Sequence, residues 1–472
     1  MLDFSDVPGC AGVFRFFEEF SAIPHGSGNT AGIASYLVKF AGERRLSCVR
    51  DEANNVLIRK PATPGKEASP VLILQGHTDM VAEKVPGSTL DMEKEGLKLY
   101  RDGDFLRAEG TTLGGDDGIA VAYMLAILDD DALPHPALEC LFTSDEEIGL
   151  LGAAAFDTSL LTGHTLLNLD SEEEGIFTVG CAGGVRCDTT LPVRAGKVTG
   201  KAVTITLSGL CGGHSGTEII RGGGNAILLM GELLCRLPGA RLVSFRGGNA
   251  DNAIPRECTM TVIGGGVAEM AETFFTEIKT RFGEKEPELA IRVASATVHA
   301  ALSAEDTRLV ATLLTSMPNG VQAMNPDIPG LVQTSLNAGI ADFDSENFTL
   351  SASVRSSVGA EKDALVRRLE DAAHAVGATF GTRGAYPAWE YRKDSALREG
   401  LCRTYRKMYG RDAACVVIHA GLECGIFAGK IADFDAVSFG PDNHDIHTTE
   451  EHLSLSSSAR VYDFLRTFLA QA

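Results

Sequence analysis

The sequence predicts an α/β protein: a mostly parallel, twisted sheet flanked by helices and interrupted by an inserted α+β domain. Three observations predict this class. Short, almost continuously apolar strands alternate with helix-like segments in the first third of the chain. Period-two alternation replaces them in the middle, and the first pattern returns near the C-terminus. At roughly 150 residues per domain, the 472 residues correspond to about two to four domains.

Helix and strand signals alternate along the first third. Apolar residues recur at helical spacing in 12–23, 30–44 and 117–130. Between these segments lie apolar runs of strand length, at 54–60, 70–79, 137–144 and 165–170. Strands that are apolar on both faces are typical of a sheet covered by helices, which supports the parallel α/β arrangement.

The middle of the chain predicts a separate domain at 187–390. Its elements follow the order strand–helix–strand–strand–helix–strand, and this order partly recurs, so two similar α+β halves are expected. From 391 to 472 the α/β pattern resumes. The resulting division is 1–186 and 391–472 as one split domain, with 187–390 inserted between its parts.

Composition excludes several classes of protein. The chain has 42 Lys+Arg and 63 Asp+Glu, and its net charge of −21 argues against a nucleic-acid-binding protein. No apolar run approaches the ~18 residues of a membrane helix, and the start lacks the features of a secretory signal. The eleven cysteines have no paired short spacing, as expected for mostly reduced core thiols in a cytoplasmic protein.

Acidic residues and histidines collect in four short segments: GHTDM, LGGDDG, SDEEIG and LNLDSEEEG. Three of these directly follow an apolar strand, where open α/β sheets place ligands. A fifth segment at 439–452 also follows a strand and offers three histidines. The residues that could converge are His77, Asp79, Asp116, Glu146, Glu147 and Asp170, joined by one of His444, His447 and His452.

Such a group of carboxylates is tolerable only if a cation neutralises it. Imidazoles mixed with carboxylates suit Zn²⁺ or a similar ion better than Ca²⁺ or Mg²⁺. Each residue alone has a plainer interpretation, because Asp79 could be a turn residue, Asp116 a helix N-cap and SEEEG a solvated turn. Their co-occurrence at the ends of strands in one sheet favours the metal site.

The same residues carry a resemblance to a known family. Nearly the whole chain, from IPHGSGN at 23–29 to HTTEEHLSLSSS at 447–458, resembles the metallopeptidases with two co-catalytic zinc ions, which include aminopeptidases, carboxypeptidases and aminoacylases. Within them it is similar to the aminoacyl-histidine (Xaa-His) dipeptidases. The motifs include HTDM, LGGDDGI, FTSDEEIGL, GLCGGHSG, NAIPRE, VRSS and HAGLECG, and their order along the chain makes the match specific.

The resemblance implies a ligand set. His77, Asp116 and Asp170 would bind one zinc, and Asp116, Glu147 and His447 the other, with Asp116 bridging. Glu146 would be the general base for a zinc-activated water, and Asp79 would hydrogen-bond the His77 ring. A cis peptide bond between Asp116 and Asp117 is also implied. Co²⁺ or Mn²⁺ could replace Zn²⁺.

The resemblance also assigns residues to substrate binding. His214 would donate to the oxyanion, in its own or a neighbouring subunit, against the alternative of an ordinary loop histidine. Asn252, Arg355, His419 and Glu423 would contact the substrate, with Arg355 as a clamp for its terminal carboxylate. The inserted domain would be a lid and dimerisation domain. Its one-sided strands have edges that could pair in a homodimer.

The resulting expectation is a cytoplasmic, zinc-dependent dipeptidase that cleaves small peptides and binds neither nucleic acid nor membrane. The alternatives are a tripeptidase, a carboxypeptidase or an N-acyl amino acid deacylase of the same family, or a non-catalytic metal-binding protein. Two positions depart from the family pattern: Asp117 stands where Asn is frequent, and Thr449 stands where Pro is usual. His444 could compete with His447, which is favoured because it directly precedes the Thr-x-Glu-Glu segment.

Overall fold

A computed structural model of the protein describes residues 2–7, 9–326, 328 and 330–472. The chain forms two compact units. Unit 1 contains the chain up to Cys181 together with 391–417 and 422–472, and unit 2 contains 182–390 and 418–421. In the described residues, no helix is long and apolar enough to cross a membrane.

The first part of unit 1 alternates strands with helices. Its helices are α1 (Ala11–Ser21), α2 (Ala31–Glu43), α3 (Gly115–Asp129) and α4 (Leu151–Ala155). Its strands are β1 (Ser47–Arg50), β2 (Val56–Lys60), β3 (Leu72–His77), β4 (Leu99–Asp102), β5 (Phe105–Ala108), β6 (Leu138–Thr143), β7 (Thr165–Asn168) and β8 (Ile176–Cys181).

Unit 2 follows with longer strands. These are β9 (Gly183–Pro192), β10 (Gly196–Ser208), β11 (Gly213–His214), β12 (Arg241–Gly247), β13 (Ala253–Ile254), β14 (Cys258–Ile263), β15 (Ala290–Ala301), β16 (Gly320–Met324), β17 (Val332–Phe343), β18 (Asn347–Ser356) and β19 (Thr379–Tyr386). Its helices are α5 (Ala226–Cys235), α6 (Val267–Phe282), α7 (Ala304–Ser316) and α8 (Gly359–Ala375).

The C-terminal part returns to unit 1. Its helices are α9 (Ala396–Tyr409), α10 (Glu423–Lys430) and α11 (Leu455–Gln471). Its strands are β20 (Ala414–Ile418), β21 (Asp435–Ser438), β22 (Asn443–His444) and β23 (His452–Ser454).

The sheet of unit 1 has the order β1-β2-β6-β3-β7-β21-β8-β20. The pairs β6–β3, β3–β7 and β7–β21 are parallel, whereas β1–β2, β2–β6 and β21–β8 are antiparallel. The predicted α/β class is confirmed, with a mixed sheet whose parallel pairs lie in the middle. All six residues of β3 and of β6 are buried, which explains their continuous apolar sequence.

The sheet of unit 2 contains two mirrored halves. β10-α5-β12-β14-α6-β15 forms four strands in the order β15-β10-β14-β12. β9-α7-β17-β18-α8-β19 forms the other four in the order β17-β18-β9-β19, and the halves join where β12 pairs with β17. Both halves therefore have the same strand–helix–strand–strand–helix–strand topology. The first strand of the second half, β9, precedes the whole first half in sequence.

β9 also moves the boundary of the inserted unit. The sequence places the boundary at 187, but β9 begins at Gly183 and pairs with β18 and β19 in the second sheet.

The core of unit 2 consists of apolar side chains from the sheet and its helices. It includes Phe245 and Phe348, whose rings pack edge to face 5.4 Å apart.

Candidate metal centre

The four central strands of unit 1 bring the predicted ligands to one edge of the sheet. β6, β3, β7 and β21 are neighbours and run parallel, so their carboxyl ends meet at the same edge. Each end carries part of the predicted group. Glu146 and Glu147 follow β6, His77 ends β3, and Asp170 follows β7. His447 lies beyond β21, in the loop between β22 and β23.

The His77 ring is held in one tautomer. Its Nδ1 lies 2.9 Å from the carbonyl oxygen of Asp79, which can only accept a hydrogen bond. In the neutral ring the lone pair is therefore on Nε2. That atom lies 3.0 Å from Oδ1 of Asp116 and 3.7 Å from Oδ1 of Asp170. A nitrogen lone pair facing two carboxylates is the arrangement of a metal ligand.

Asp116 faces both imidazoles with its two oxygens. Its Oδ1 is near His77, and its Oδ2 lies 3.2 Å from Nε2 of His447. The same His447 nitrogen lies 2.9 Å from Oε1 of Glu147. The peptide bond between Asp116 and Asp117 is cis, as the resemblance implied. The position of Asp116 matches that expected for a carboxylate shared by two ions.

Three overlapping groups in the described residues bring potential ligand atoms within 4.8 Å of one another. Two correspond to the predicted ligand sets: His77 with Asp116 and Asp170, and Asp116 with Glu147 and His447. The third contains His77, Glu146 and Glu147. Glu146 is thus within reach of both sets.

The acidic side chains strongly influence each other's ionisation. Burial, followed by neighbouring carboxylates, raises the pKa of Glu146 to about 8 and that of Asp170 well above its usual range. Hydrogen bonds to Asp116 and Glu147 raise the pKa of His447 to about 10. Crowded carboxylates that hold protons at neutral pH become charged ligands when a divalent cation binds. The donor set therefore fits a pair of metal ions.

Comparison with known proteins identifies the family. The profile described as Peptidase family M20/M25/M40 matches residues 73–471. This chain belongs to that family.

Two dipeptidases match this chain over nearly their full length. The cytosol non-specific dipeptidase of Escherichia coli (strain K12) is 36% identical, with 97% of each chain covered. The crystal structure of an aminoacylhistidine dipeptidase from Vibrio alginolyticus matches with a TM-score of 0.90 and 34% identity, over 100% of this chain and 98% of that one. The aminopeptidase PepT from Bacillus cereus, at 16% identity and a TM-score of 0.60, covers 98% of each chain and shares the fold.

Asp79 holds neighbouring residues of the site in place, mainly through hydrogen bonds that involve backbone groups. Its carboxylate accepts hydrogen bonds from the backbone N–H of Glu146 at 2.9 Å and from the hydroxyl of Ser27 at 2.8 Å. Its Oδ1 lies 3.5 Å from Nδ1 of His77, farther than the 2.9 Å of its own carbonyl oxygen. Asp79 thus orients His77 mainly through its carbonyl oxygen and Glu146 through its carboxylate.

Glu451 is a site residue that the sequence patterns do not reveal. Its buried carboxylate accepts hydrogen bonds from four consecutive backbone N–H groups, at 2.7, 2.9, 2.8 and 3.3 Å, belonging to Leu113, Gly114, Gly115 and Asp116. Gly114 has φ +67, a conformation that glycine adopts without strain. Glu451 therefore fixes the loop that carries Asp116. One feature of the sequence points to such a residue. The N–H groups at the start of a buried helix need a hydrogen-bond acceptor, and no usual capping residue precedes the glycines of LGGDDG.

The structure shows the environment of Asp117 and Thr449, the two positions that depart from the family pattern. Asp117 is buried, and its Oδ2 accepts the backbone N–H of His77 at 3.1 Å. Burial raises its pKa well above the usual range, which favours the neutral acid, a near match in shape for Asn.

In the loop of Thr449, the neighbouring Thr448 donates to the carbonyl of Asp445 at 2.6 Å. The other candidate, His444, packs against Phe105 and is absent from the ligand groups found among the described residues.

The predicted substrate residues of unit 2 lie near one another. β11 pairs with β13 so that His214 faces Ala253, the residue after Asn252, and both His214 and Asn252 line a cavity of about 470 Å³. Ser335, directly opposite Arg355 in the β17–β18 register, contacts Nε2 of His419 at 2.7 Å. Burial, followed by the charge of Arg355, lowers the pKa of His419 to about 4 and also lowers that of His214. The structure thus groups these four residues within unit 2.

Glu423, the remaining predicted substrate residue, belongs to unit 1 and has no exposed area. Its Oε2 accepts hydrogen bonds from Gln75 at 2.6 Å and from Thr143 at 2.7 Å. Its Oε1 has no hydrogen-bond partner among the described residues. Burial raises its pKa to about 7. These contacts favour a supporting position beneath the metal centre.

Glu451→Gln should weaken metal binding about 10- to 100-fold, since groups that hydrogen-bond and orient metal ligands have effects of this size. The amide has only one acceptor oxygen. Its NH₂ group would therefore face backbone N–H groups whose hydrogen bonds it cannot accept. The measurement is competitive metal titration of the purified protein. The control is Glu450→Gln, because Glu450 is the exposed neighbour of Glu451. Unchanged affinity in Glu451→Gln would contradict the positioning role.

Proposed function

We propose that the protein is a dizinc dipeptidase that hydrolyses the peptide bond of dipeptides, of the Xaa-His type or with broad specificity. The observation that supports this most directly is the bridging position of Asp116 between His77 and His447, with Glu146 beside the ligands. The full-length similarity to two dipeptidases supports the choice of substrate. When bound, the metal ions would lower the pKa of a water molecule towards neutrality and polarise the scissile carbonyl.

Glu146 is the proposed general base. It is a carboxylate beyond those needed for the two ligand sets, and a site that only stored metal would not need it. Asp79 accepts the N–H of Glu146 at 2.9 Å and that of Glu147 at 3.4 Å, so one carboxylate positions both acids. Glu146 would accept a proton from the attacking water and deliver it to the leaving amine.

The residues of unit 2 are proposed to recognise the substrate. His214 would donate to the oxyanion, and Arg355, which already donates to the hydroxyl of Tyr386 at 3.1 Å, would bind the terminal carboxylate. Asn252 and His419 would contact polar groups of the dipeptide. We also propose a cytoplasmic location, in line with the acidic composition.

The choice of substrate and metal can be tested together. Protein stripped with a chelator should lose dipeptide hydrolysis and regain it with about two equivalents of Zn²⁺ per chain. Co²⁺ and Mn²⁺ are compared in parallel, and metal content is measured by mass spectrometry. The substrates are Xaa-His and other dipeptides, a tripeptide, and an N-acyl amino acid. Cleavage of only the tripeptide or the acyl compound would replace the dipeptidase assignment, and no turnover by the loaded protein would refute a peptidase function.

Glu146→Gln should lower turnover about 10²- to 10⁴-fold, because the amide cannot accept the proton. Metal content should stay near that of the unsubstituted protein, since both ligand sets remain. The matched control is Glu173→Gln, which changes an exposed acid after β7. If Glu146→Gln lost its metal together with its activity, Glu146 would instead be a ligand.

Unit 2 offers a surface for a homodimer. β15 is a twelve-residue edge strand that pairs with β10 along one side, and ten of its twelve residues are small or apolar (AIRVASATVHAA). Long edges with few charges favour pairing with another chain. Size-exclusion chromatography with light scattering should therefore give twice the mass of the chain. The mass of a single chain would contradict the proposal.

A further inference from the structure

Two cysteines of unit 1 differ from the core thiols that the sequence predicted. Cys402 lies on α9 and Cys415 on β20, and their sulfur atoms are 3.7 Å apart. Cys402 is half-buried and Cys415 is exposed, so a small reagent can reach the pair. Cysteines buried in the core, such as Cys140 and Cys258, have no such access.

The two thiols share a hydrogen bond in which either sulfur can be the donor. This contact, together with the charge of Arg398, lowers the pKa of Cys415 to about 7 against the opposing effect of burial. The same contact raises the pKa of Cys402. Cys415 is also the more exposed of the two, so it is the nucleophile that a small disulfide reaches, and Cys402 is the thiol that resolves the mixed disulfide.

Arg398 is held in place near the thiols. It lies one helical turn before Cys402, and its guanidinium donates to the carbonyl oxygens of Arg392 and Lys393, each at 2.6 Å. It also stacks over the ring of Tyr391 at 5.0 Å. A cation fixed by three neighbours provides a constant field that favours the thiolate.

We propose that Cys402 and Cys415 form a modification site for low-molecular-weight disulfides, which oxidise the pair reversibly to an intramolecular disulfide. The Cys415 thiolate attacks a sulfur of the small disulfide, forms a mixed disulfide and releases one small thiolate. Cys402 loses its proton to solvent and attacks the Cys415 sulfur, which expels the second small thiolate. Two protein thiols are oxidised and one small disulfide is reduced to two thiols.

The geometry requires only a local movement. A disulfide bond is about 2.05 Å long, so the sulfurs must approach by roughly 1.6 Å. Cys415 is exposed and Cys402 is half-buried, so the sulfurs that must approach lie near the surface rather than in the core. The bridge would close the segment 403–414, which includes the end of α9 and the turn at Gly410, and would fasten the helix to β20.

The test treats the reduced, metal-loaded full-length protein with oxidised glutathione, followed by acid quench, alkylation and peptide mass mapping. The expected result is loss of two hydrogens from the peptides carrying Cys402 and Cys415, reversed by dithiothreitol. Cys402→Ser should instead stop at a glutathione adduct on Cys415. The control Cys235→Ser removes another exposed thiol and should leave the new disulfide unchanged.

A rate measurement tests the proposed roles of the two thiols. At pH 7, alkylation of Cys415 should be about 3-fold slower in Cys402→Ala, which has no donor for the Cys415 thiolate, because the loss of thiolate outweighs the gain in nucleophilicity. Retained metal content and peptidase activity show that the variant is folded. Equal rates in both proteins would overturn the activation of Cys415. A lasting adduct on Cys415 in the unsubstituted protein, or no reaction at either thiol after Cys235 has reacted, would overturn the site itself.

Discussion

Repulsion between buried carboxylates is the constraint on which unit 1 depends. Each of Asp116, Glu147 and Asp170 has a carboxylate oxygen within 4.8 Å of a ring nitrogen of His77 or His447. Glu146 adds a further acid. Burial raises the pKa of Glu146 and Asp170, so the cluster without cations holds protons. Divalent cations would displace these protons and pair the acids with opposite charge, in line with the metal dependence that is general in the M20 family.

The parallel centre of the sheet is what makes this clustering possible. Only parallel neighbours place successive carboxyl ends at one edge, and the four strands that end in ligand segments are the four that run parallel. The other strands of the sheet, β1, β2, β8 and β20, flank this group, and no predicted metal ligand directly follows them. Substitutions that shift β3 or β7 by one residue would move His77 or Asp170 away from the others.

The sequence predicted what local chemistry determines and missed what depends on distant pairing. His77, Glu147 and Asp170 could be found because an acid or imidazole after an apolar strand is visible locally, and the resemblance favoured His447 over His444. Glu451 could not be assigned, because nothing near it shows that its carboxylate meets four N–H groups more than 330 residues away. β9 was missed for the same reason: it pairs with β18 and β19 across an entire half of unit 2.

The C-terminal loop then links both sides of the centre. His447 and Glu451 are four residues apart, and one faces Asp116 directly while the other holds the loop that presents Asp116. The remaining ligand candidates come from the chain before the insertion. The complete donor set therefore exists only after β21 has joined β7, with the whole of 182–390 excluded from the sheet. Because the ligands assemble only in the folded unit, metal binding must stabilise the closure of this split domain.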